Sequence, residues 1–400
     1  MFRIIHRTLQ RPRIVLAAVA SGLALTIAAC GGGSTSTNGT LQLSLTDAPG
    51  CGYDAVNVTI TDISVHQSST AAATDAGWVH VPITAQKINL LNLQNGVLAT
   101  LGQTPLPAGN YTQMRLLLAS NSGMTLANSV VPTGGSEVAL KTPSGQQTGL
   151  KMNVDIKIAP DQMADFVVDF NACKSVVSAG ASGMYLLKPV VSVTPNFISG
   201  VRGMVDASID GDTGANTQIM LEQPGTSTQP PMVIKATTPD ASGRYLLQPV
   251  APGTYNLVVT SNGHATAVVT GVVVQSQLVT TVPGAINPPM SAGGVQGGTV
   301  TTGVAPVDAA LVAQQTLTAG GTIEVAFAAA DTVLGTYSFT LPIGAPVAAP
   351  YAGAGMLMFT ADSGAAGKYT IAATSGLTTK YSGLLTVTTG ANAPVDFTFP

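Results

Sequence analysis

The chain has 400 residues, of which 45% are apolar and only 9% charged, with a formal net charge of −3. Ordinary globular proteins carry about 25% charged residues, so this surface is polar through hydroxyl and amide groups. The acid excess excludes the basic footprint of a nucleic-acid binder, and the length suffices for two or three cores.

The first thirteen residues hold Arg3, Arg7, Arg11 and Arg13 and no acid, and an apolar run over residues 14–29 follows. That is the order of a secretory signal. The run ends in LTIAAC (25–30), followed by GGGSTST (31–37). This resembles the lipobox of bacterial lipoproteins. The resemblance implies cleavage after Ala29, a diacylglycerol on the sulfur of Cys30, and two or three acyl chains in a bilayer, each methylene contributing about 0.8 kcal/mol. The competing reading, a spanning helix with an incidental cysteine, needs ~20 apolar residues, more than the run supplies. Gly31 stands where an aspartate would signal inner-membrane retention in enteric bacteria. The expected location is therefore the outer membrane, on its periplasmic or cell-surface face. Losing residues 1–29 removes four of sixteen bases and none of nineteen acids, which leaves the rest near −7.

Beyond Cys30 the cysteines are Cys51 and Cys173. In an oxidising compartment an even pair reads most simply as a disulfide, with two separate buried thiols as the other account. Neither has a CxxC neighbour, which argues against zinc.

Alternation typical of half-buried strands occurs at Leu41, Leu43 and Leu45, at Val56, Val58 and Ile60, and at Val154, Ile156 and Ile158. It slips by one residue before Ile63 and Val65, which predicts a bulge near Thr61 and Asp62. One short helix is predicted over residues 97–101, after the Asn95-Gly96 turn. The remainder reads as strands joined by Gly, Pro, Asn and Asp turns.

A flexible tether covers residues 30–40, and three segments follow. The first, residues 41–195, contains LSLTDAPG (43–50), YDAVNVTITDISVH (53–66), INLLNLQNG (88–96), LPAGNYTQMRLLL (106–118), VVDFNACKSVV (167–177) and YLLKPVVSV (185–193). In that order they resemble the bacterial domain of unknown function 4382 family, whose members are typically lipoproteins; the resemblance implies an exported β domain and transfers no catalytic residue. The second, residues 199–282, carries GVRGMV (200–205), DASGRYLL (240–247) and APGTYNLVV (251–259). It resembles a carboxypeptidase regulatory-like module, a transthyretin-like sandwich. A Pro/Gly-rich joint precedes the third, residues 294–400, where GGTV (297–300) and AGKYTI (366–371) resemble a degenerate copy. The expected fold is all-β: three β-sandwich domains, transthyretin- or Ig-like, in tandem behind a lipidated tether. In each GxY the glycine places a turn and the tyrosine starts a strand and packs on the core.

Motifs for chemistry are sparse. After the leader the histidines are His66, His80 and His264, no two at metal-ligand spacing, and GxSxG, HExxH and GxxxxGK[ST] are absent. Ser136 and Ser182 have glycine neighbours without the elbow spacing. Asp165 and Asp169 share a strand face but stand roughly 13 Å apart, too far for a glycosidase pair. Asp206, Asp210 and Asp212 in DASIDGDTGAN (206–216) suggest a calcium loop without its closing glutamate; a solvated turn is the simpler account. No catalytic residue, metal or cofactor is expected.

Sugar sites in such folds use exposed aromatic rings. Tyr111, Tyr185, Tyr245, Tyr255, Tyr337 and Tyr369 follow GxY and are expected in cores, which leaves Tyr53, Tyr351, Tyr381 and the lone Trp78 as platforms. Trp78 is the candidate ligand-binding residue, with a core-capping role as its alternative. The functional expectation is a non-catalytic cell-envelope lipoprotein, a binding or structural module whose partners are the membrane, through acyl chains on Cys30, and an envelope protein or surface polysaccharide. The alternative is a carbohydrate-binding or accessory subunit of an envelope hydrolase.

Overall fold

The computed structural model describes residues 37–48, 52–123, 125–143, 145, 148–180, 183–209, 217–226 and 229–400. The signal segment, Cys30, Cys51, Ser182, Asp210 and Asp212 lie outside the described residues. The protein is nearly all β, with its strands in three pairs of sheets among the described residues. No described helix is long and apolar enough to cross a membrane.

In the first pair, strand Asn38–Ala48 runs parallel to Met163–Asn171 and antiparallel to Ala99–Pro107. It begins inside the stretch expected as tether, because Asn38, Gly39 and Thr40 pair with residues 105–107. Its alternation points Leu41, Leu43 and Leu45 into the core. The facing sheet is organised by Tyr53–His66, which buries Val56, Val58 and Ile60. Its pairing with Gly109–Leu118 shifts between Ile60 and Asp62. This is the bulge the broken alternation predicts, and it returns Ile63 and Val65 to the same core.

The helix expected at residues 97–101 does not form: residues 99–107 are a strand, and the helical turn is the 3-10 segment Leu90–Leu93 on the other side of the turn. Asn89 caps it by accepting the Leu91 N–H at 3.2 Å. Asn95 (φ 56°) and Gly96 (φ 76°) are left-handed and reverse the chain. The residues beyond them then find an open edge on Asn38–Ala48, and that pairing outweighs a weak helical propensity.

In the second pair, the smaller sheet runs in the order Arg244–Leu247, Gly200–Val205, Val279–Ile286, and its strands mix buried with exposed positions. The larger sheet facing it contains Met232–Thr237, Gln218–Gln223, Gly253–Thr260 and Ala267–Val274, in that order. It is completed by Val347–Pro350 and Thr360–Ala361, which the third segment contributes through parallel pairing of Val347–Pro350 to Ala267–Val274. Both faces of this sheet are covered. Ile219, Leu221, Leu257, Val259 and Val269 face the second core, while Met220, Val258 and Val268 join the core cluster of the third domain. Burial on both faces explains why IML (219–221), LVV (257–259) and AVV (267–269) are continuous apolar runs. The third pair of sheets forms around Gly293–Thr301 and Ala310–Leu317.

Candidate functional site

Trp78 stands at the end of the loop that joins Tyr53–His66 to Val79–Val81. Antiparallel pairing sets Ser64 between His80 on one neighbouring strand and Arg115 on the other. Since side chains alternate in direction, Asp62, Ser64, His80 and Arg115 share the outer face of the sheet. Together with Asp75 and Trp78 they line a groove of about 400 Å³.

Most charged and aromatic groups in the groove have a local partner, although the Arg115 Nε is buried without one. The His80 Nδ1 lies 2.9 Å from both Asp62 carboxylate oxygens. Arg115 donates to the carbonyls of Thr148 at 2.7 Å and Ala71 at 3.1 Å. Asp75 accepts the Ala72 N–H at 2.8 Å, and the Trp78 indole N–H donates to Ala72 O at 2.9 Å. The half-buried Trp78 ring is contacted by the His66 ring, 5.0 Å between centroids, and by the Arg115 guanidinium, 5.1 Å away. Such a surface can hydrogen-bond a hydroxyl-rich ligand. Asp62, His80 and Ser64 carry the residue types of a hydrolytic triad, but Ser64 is 6% exposed and held between two antiparallel strands. A triad serine must instead present its Oγ to substrate, as the sharp-turn serine of α/β-hydrolases does.

The other aromatic platforms are mostly committed. Tyr53 packs edge-on against Tyr185 at 6.0 Å, and the Tyr351 hydroxyl donates to Thr281 O at 3.2 Å; Tyr381 is exposed. Five of the six GxY tyrosines are buried and Tyr185 is half-buried. Asp165 and Asp169 do not act as a pair: Asp165 accepts from Asn196 at 2.9 Å, and Asp169 is bonded to Lys235 at 2.6 Å. Asp206 closes its own turn on Ser208. Among the described residues no cluster of three or more His, Cys, Asp or Glu could hold a metal.

A second polar cluster, which no sequence motif announces, sits where the three domains meet. Lys174, on the short helix Ala172–Ser175, bonds Glu324 of the third domain at 2.5 Å and lies over the Phe327 ring. The Glu324 N–H donates to Glu222 Oε2 of the second domain at 2.9 Å, while Glu222 Oε1 is buried without a hydrogen bond. Burial, and then the Glu324 carboxylate, push Glu222 well above the ordinary carboxylate range. Nearby, the Lys235–Asp169 bond joins the second domain to the first. Asn95 Oδ1 accepts the Leu246 N–H at 3.2 Å, so the first domain's turn also caps an edge strand of the second. Lys174, Glu324 and His264 line a cavity of about 210 Å³ at this junction. Cys173 lines it too and is not a free thiol. The signal available in sequence was Glu222 within a continuous apolar strand, a charge where both faces are buried.

Fold and sites together define a class: an all-β protein of paired sheets whose junctions are held by buried polar contacts. Residues 38–189 match the family described as Domain of unknown function (DUF4382), and residues 200–285 match the carboxypeptidase regulatory-like domain. No curated protein matches the chain. Among solved structures it is similar to the Bacillus anthracis TIE protein, at 11% identity over 90% of this chain and 50% of that one, with a TM-score of 0.17. It is also similar to a streptococcal ancillary pilin, at 9% identity over 89% of this chain and 98% of that one, TM-score 0.17. A third is the open conformation of the pilus adhesin SpaC from Lactobacillus rhamnosus GG, at 11% identity, 86% and 50% coverage and a TM-score of 0.14. The chain thus spans half the length of the first of these. At such scores the likeness bears on neither fold nor function.

Proposed function

We propose that this is a non-catalytic cell-envelope protein, anchored in the outer membrane through acyl chains on Cys30, that presents a rigid binding surface on its tether. The observation that carries this reading is the junction: Lys174–Glu324, Lys235–Asp169 and the Asn95 cap tie each domain to another through buried polar contacts. Buried pairs tolerate little rearrangement, because separating the partners strands a desolvated charge. That suits a spacer or presenting module better than a hinged enzyme. Metabolic labelling with a palmitate analogue tests the anchor. Wild-type protein is expected to take the label and fractionate with membranes, and Cys30→Ser to lose both; an unlabelled wild type sinks the anchor. A pull-down from intact cells tests for an envelope partner, and its failure would leave the structural role alone.

The bridge Cys51–Cys173 belongs to the same proposal. Closing a loop of that length would stabilise by about 4–5 kcal/mol in the chain-entropy model. Titration of the denatured, unreduced protein is expected to find neither thiol reactive, and two reactive thiols would exclude the bridge.

The Trp78 groove favours a second reading, carbohydrate binding as an accessory to an envelope hydrolase. Because the ring is already contacted by His66 and Arg115, binding is expected to be weak. Micromolar binding of soluble oligosaccharides that vanishes in Trp78→Ala, with the fold retained, would promote this reading over the first.

A further inference from the structure

Lys174, Glu324 and Glu222 come from three different domains and meet away from water. The Lys174 and Glu324 side chains are 19% and 7% exposed, with Nζ and Oε1 2.5 Å apart. Glu222 is wholly buried. Its neighbour Leu221 faces the second core and Met220, two residues back, joins the core of the third domain. Alternation along the strand therefore turns Glu222 toward the third domain. There its Oε2 accepts the Glu324 N–H at 2.9 Å, and the charges of Glu324 and Lys174 both act on its carboxyl.

Three features set this cluster apart from an ordinary ion pair. The first is reach. The Lys174 nitrogen is one carbon–oxygen bond from the Glu324 carboxyl carbon, and near-attack geometries need reacting atoms about 3–3.5 Å apart. The second is a neutral acid. Burial and the Glu324 charge leave Glu222 protonated, and its Oε1 is buried without a hydrogen bond. The third is the surroundings. Nζ lies 5.0 Å from the centre of the Phe327 ring, and both members of the pair line the cavity of about 210 Å³, where a released water can go. An amine and a carboxylic acid condense only when the amine is neutral. Away from water both charges of the pair are penalised, and moving one proton from Nζ to the carboxylate removes both.

We propose that Lys174 and Glu324 condense into an isopeptide bond that joins the first domain covalently to the third, with Glu222 as the acid that assists. The neutral Nζ adds its lone pair to Glu324 Cδ, and the π pair of the carbonyl moves to its oxygen, supported by the Glu222 proton. The bond from Cδ to the hydroxyl oxygen then breaks, and that hydroxyl leaves as water with one proton from the nitrogen, while Glu222 recovers its own. From ammonium and carboxylate the sum is one amide and one water. Nothing is oxidised or reduced, and no co-reactant is needed. The inference stands on the junction alone and is independent of the anchor and of any ligand.

Mass spectrometry of the purified full chain, incubated folded, then reduced, denatured and digested, tests the bond. A branched peptide is expected that joins Lys174 to Glu324 and is lighter by one water than its two parts. Lys174→Arg keeps the charge pair but should give no branched peptide. Glu222→Gln, with an unchanged circular dichroism spectrum, should form it at least 10-fold more slowly. The Lys235–Asp169 pair has no second carboxyl hydrogen-bonded to either residue among the described residues, and should remain unlinked. Recovery of Lys174 and Glu324 only in separate peptides from folded wild-type chain would overturn the proposal. A branched peptide that persists in Lys174→Arg would do the same, and undiminished linkage in Glu222→Gln would remove the assisting acid.

Discussion

The junction and the Trp78 groove use the same chemistry and differ in their access to water. At the junction the side chains of Lys235 and Asp169 are 4% and 16% exposed; in the groove those of His80 and Asp62 are 64% and 31% exposed. In the first setting an ion pair fixes geometry, because neither charge has water to fall back on. In the second it is worth about 0–1 kcal/mol and is screened by salt. The polar residues that decide this architecture are therefore the hidden ones.

The largest expected effect comes from breaking a hidden pair. Lys235→Met should destabilise by about 3–5 kcal/mol, since Asp169 is left charged and buried, whereas Lys235→Met with Asp169→Leu should recover most of the loss. Denaturant unfolding of the three proteins measures both, and equal losses in the single and double variants would mean that the contact, not the stranded charge, was the source.

Next in size is a pH dependence centred on Glu222. Its folded-state pKa is raised by burial and by Glu324, so the folded protein holds a proton that an unfolded glutamate has released. This contribution is greatest at pH below the ordinary glutamate value and is lost as pH rises toward the raised one, by about 1.4 kcal/mol per pH unit. Glu222→Gln should flatten that slope and stabilise the chain at the alkaline end of the window. A melting-temperature profile across pH reads the difference, and parallel profiles for wild type and variant would contradict it.

The tyrosines sharpen the contrast further, because burial is constant while pairing varies. Tyr255→Phe should cost about 1 kcal/mol through loss of the bond to Ala251 O, and Tyr245→Phe nothing or a slight gain, both read by denaturant unfolding. The smallest effect belongs to the exposed groove. Asp62→Ala should change stability by less than about 1 kcal/mol, and the difference should vanish in molar salt.

Much of the fold is legible in the sequence because period-two burial is a local property: Leu41, Leu43 and Leu45, and the slip between Ile60 and Ile63, determine strand, face and bulge by themselves. The GxY tyrosines are legible for the same reason. What sequence conceals is which edge a strand will find. The residues after Asn95-Gly96 became a strand through a partner roughly sixty residues earlier, with Ala99 paired to Leu45 through Leu106 paired to Gly39. Trp78 and its loop could be located, but its neighbours His66 and Arg115 come from register across strands. The junction was concealed most completely. Asp169 and Lys235, or Lys174 and Glu324, lie far apart along the chain and carry no motif, and only the double-sided burial of Gln218–Gln223 marks Glu222 as unusual.

The strands Val347–Pro350 and Thr360–Ala361 have a consequence for the heredity of this chain. The regulatory-like module ends at residue 285 by its sequence family, yet its larger sheet is finished by residues roughly sixty positions later. A gene fragment cut at the Pro/Gly-rich joint would encode a module with Ala267–Val274 as a bare edge, a template for pairing with other chains. Recombination that shuffles modules at that joint would therefore be punished by aggregation, and the second and third domains are expected to travel through evolution as one inherited unit, whatever their boundary in sequence.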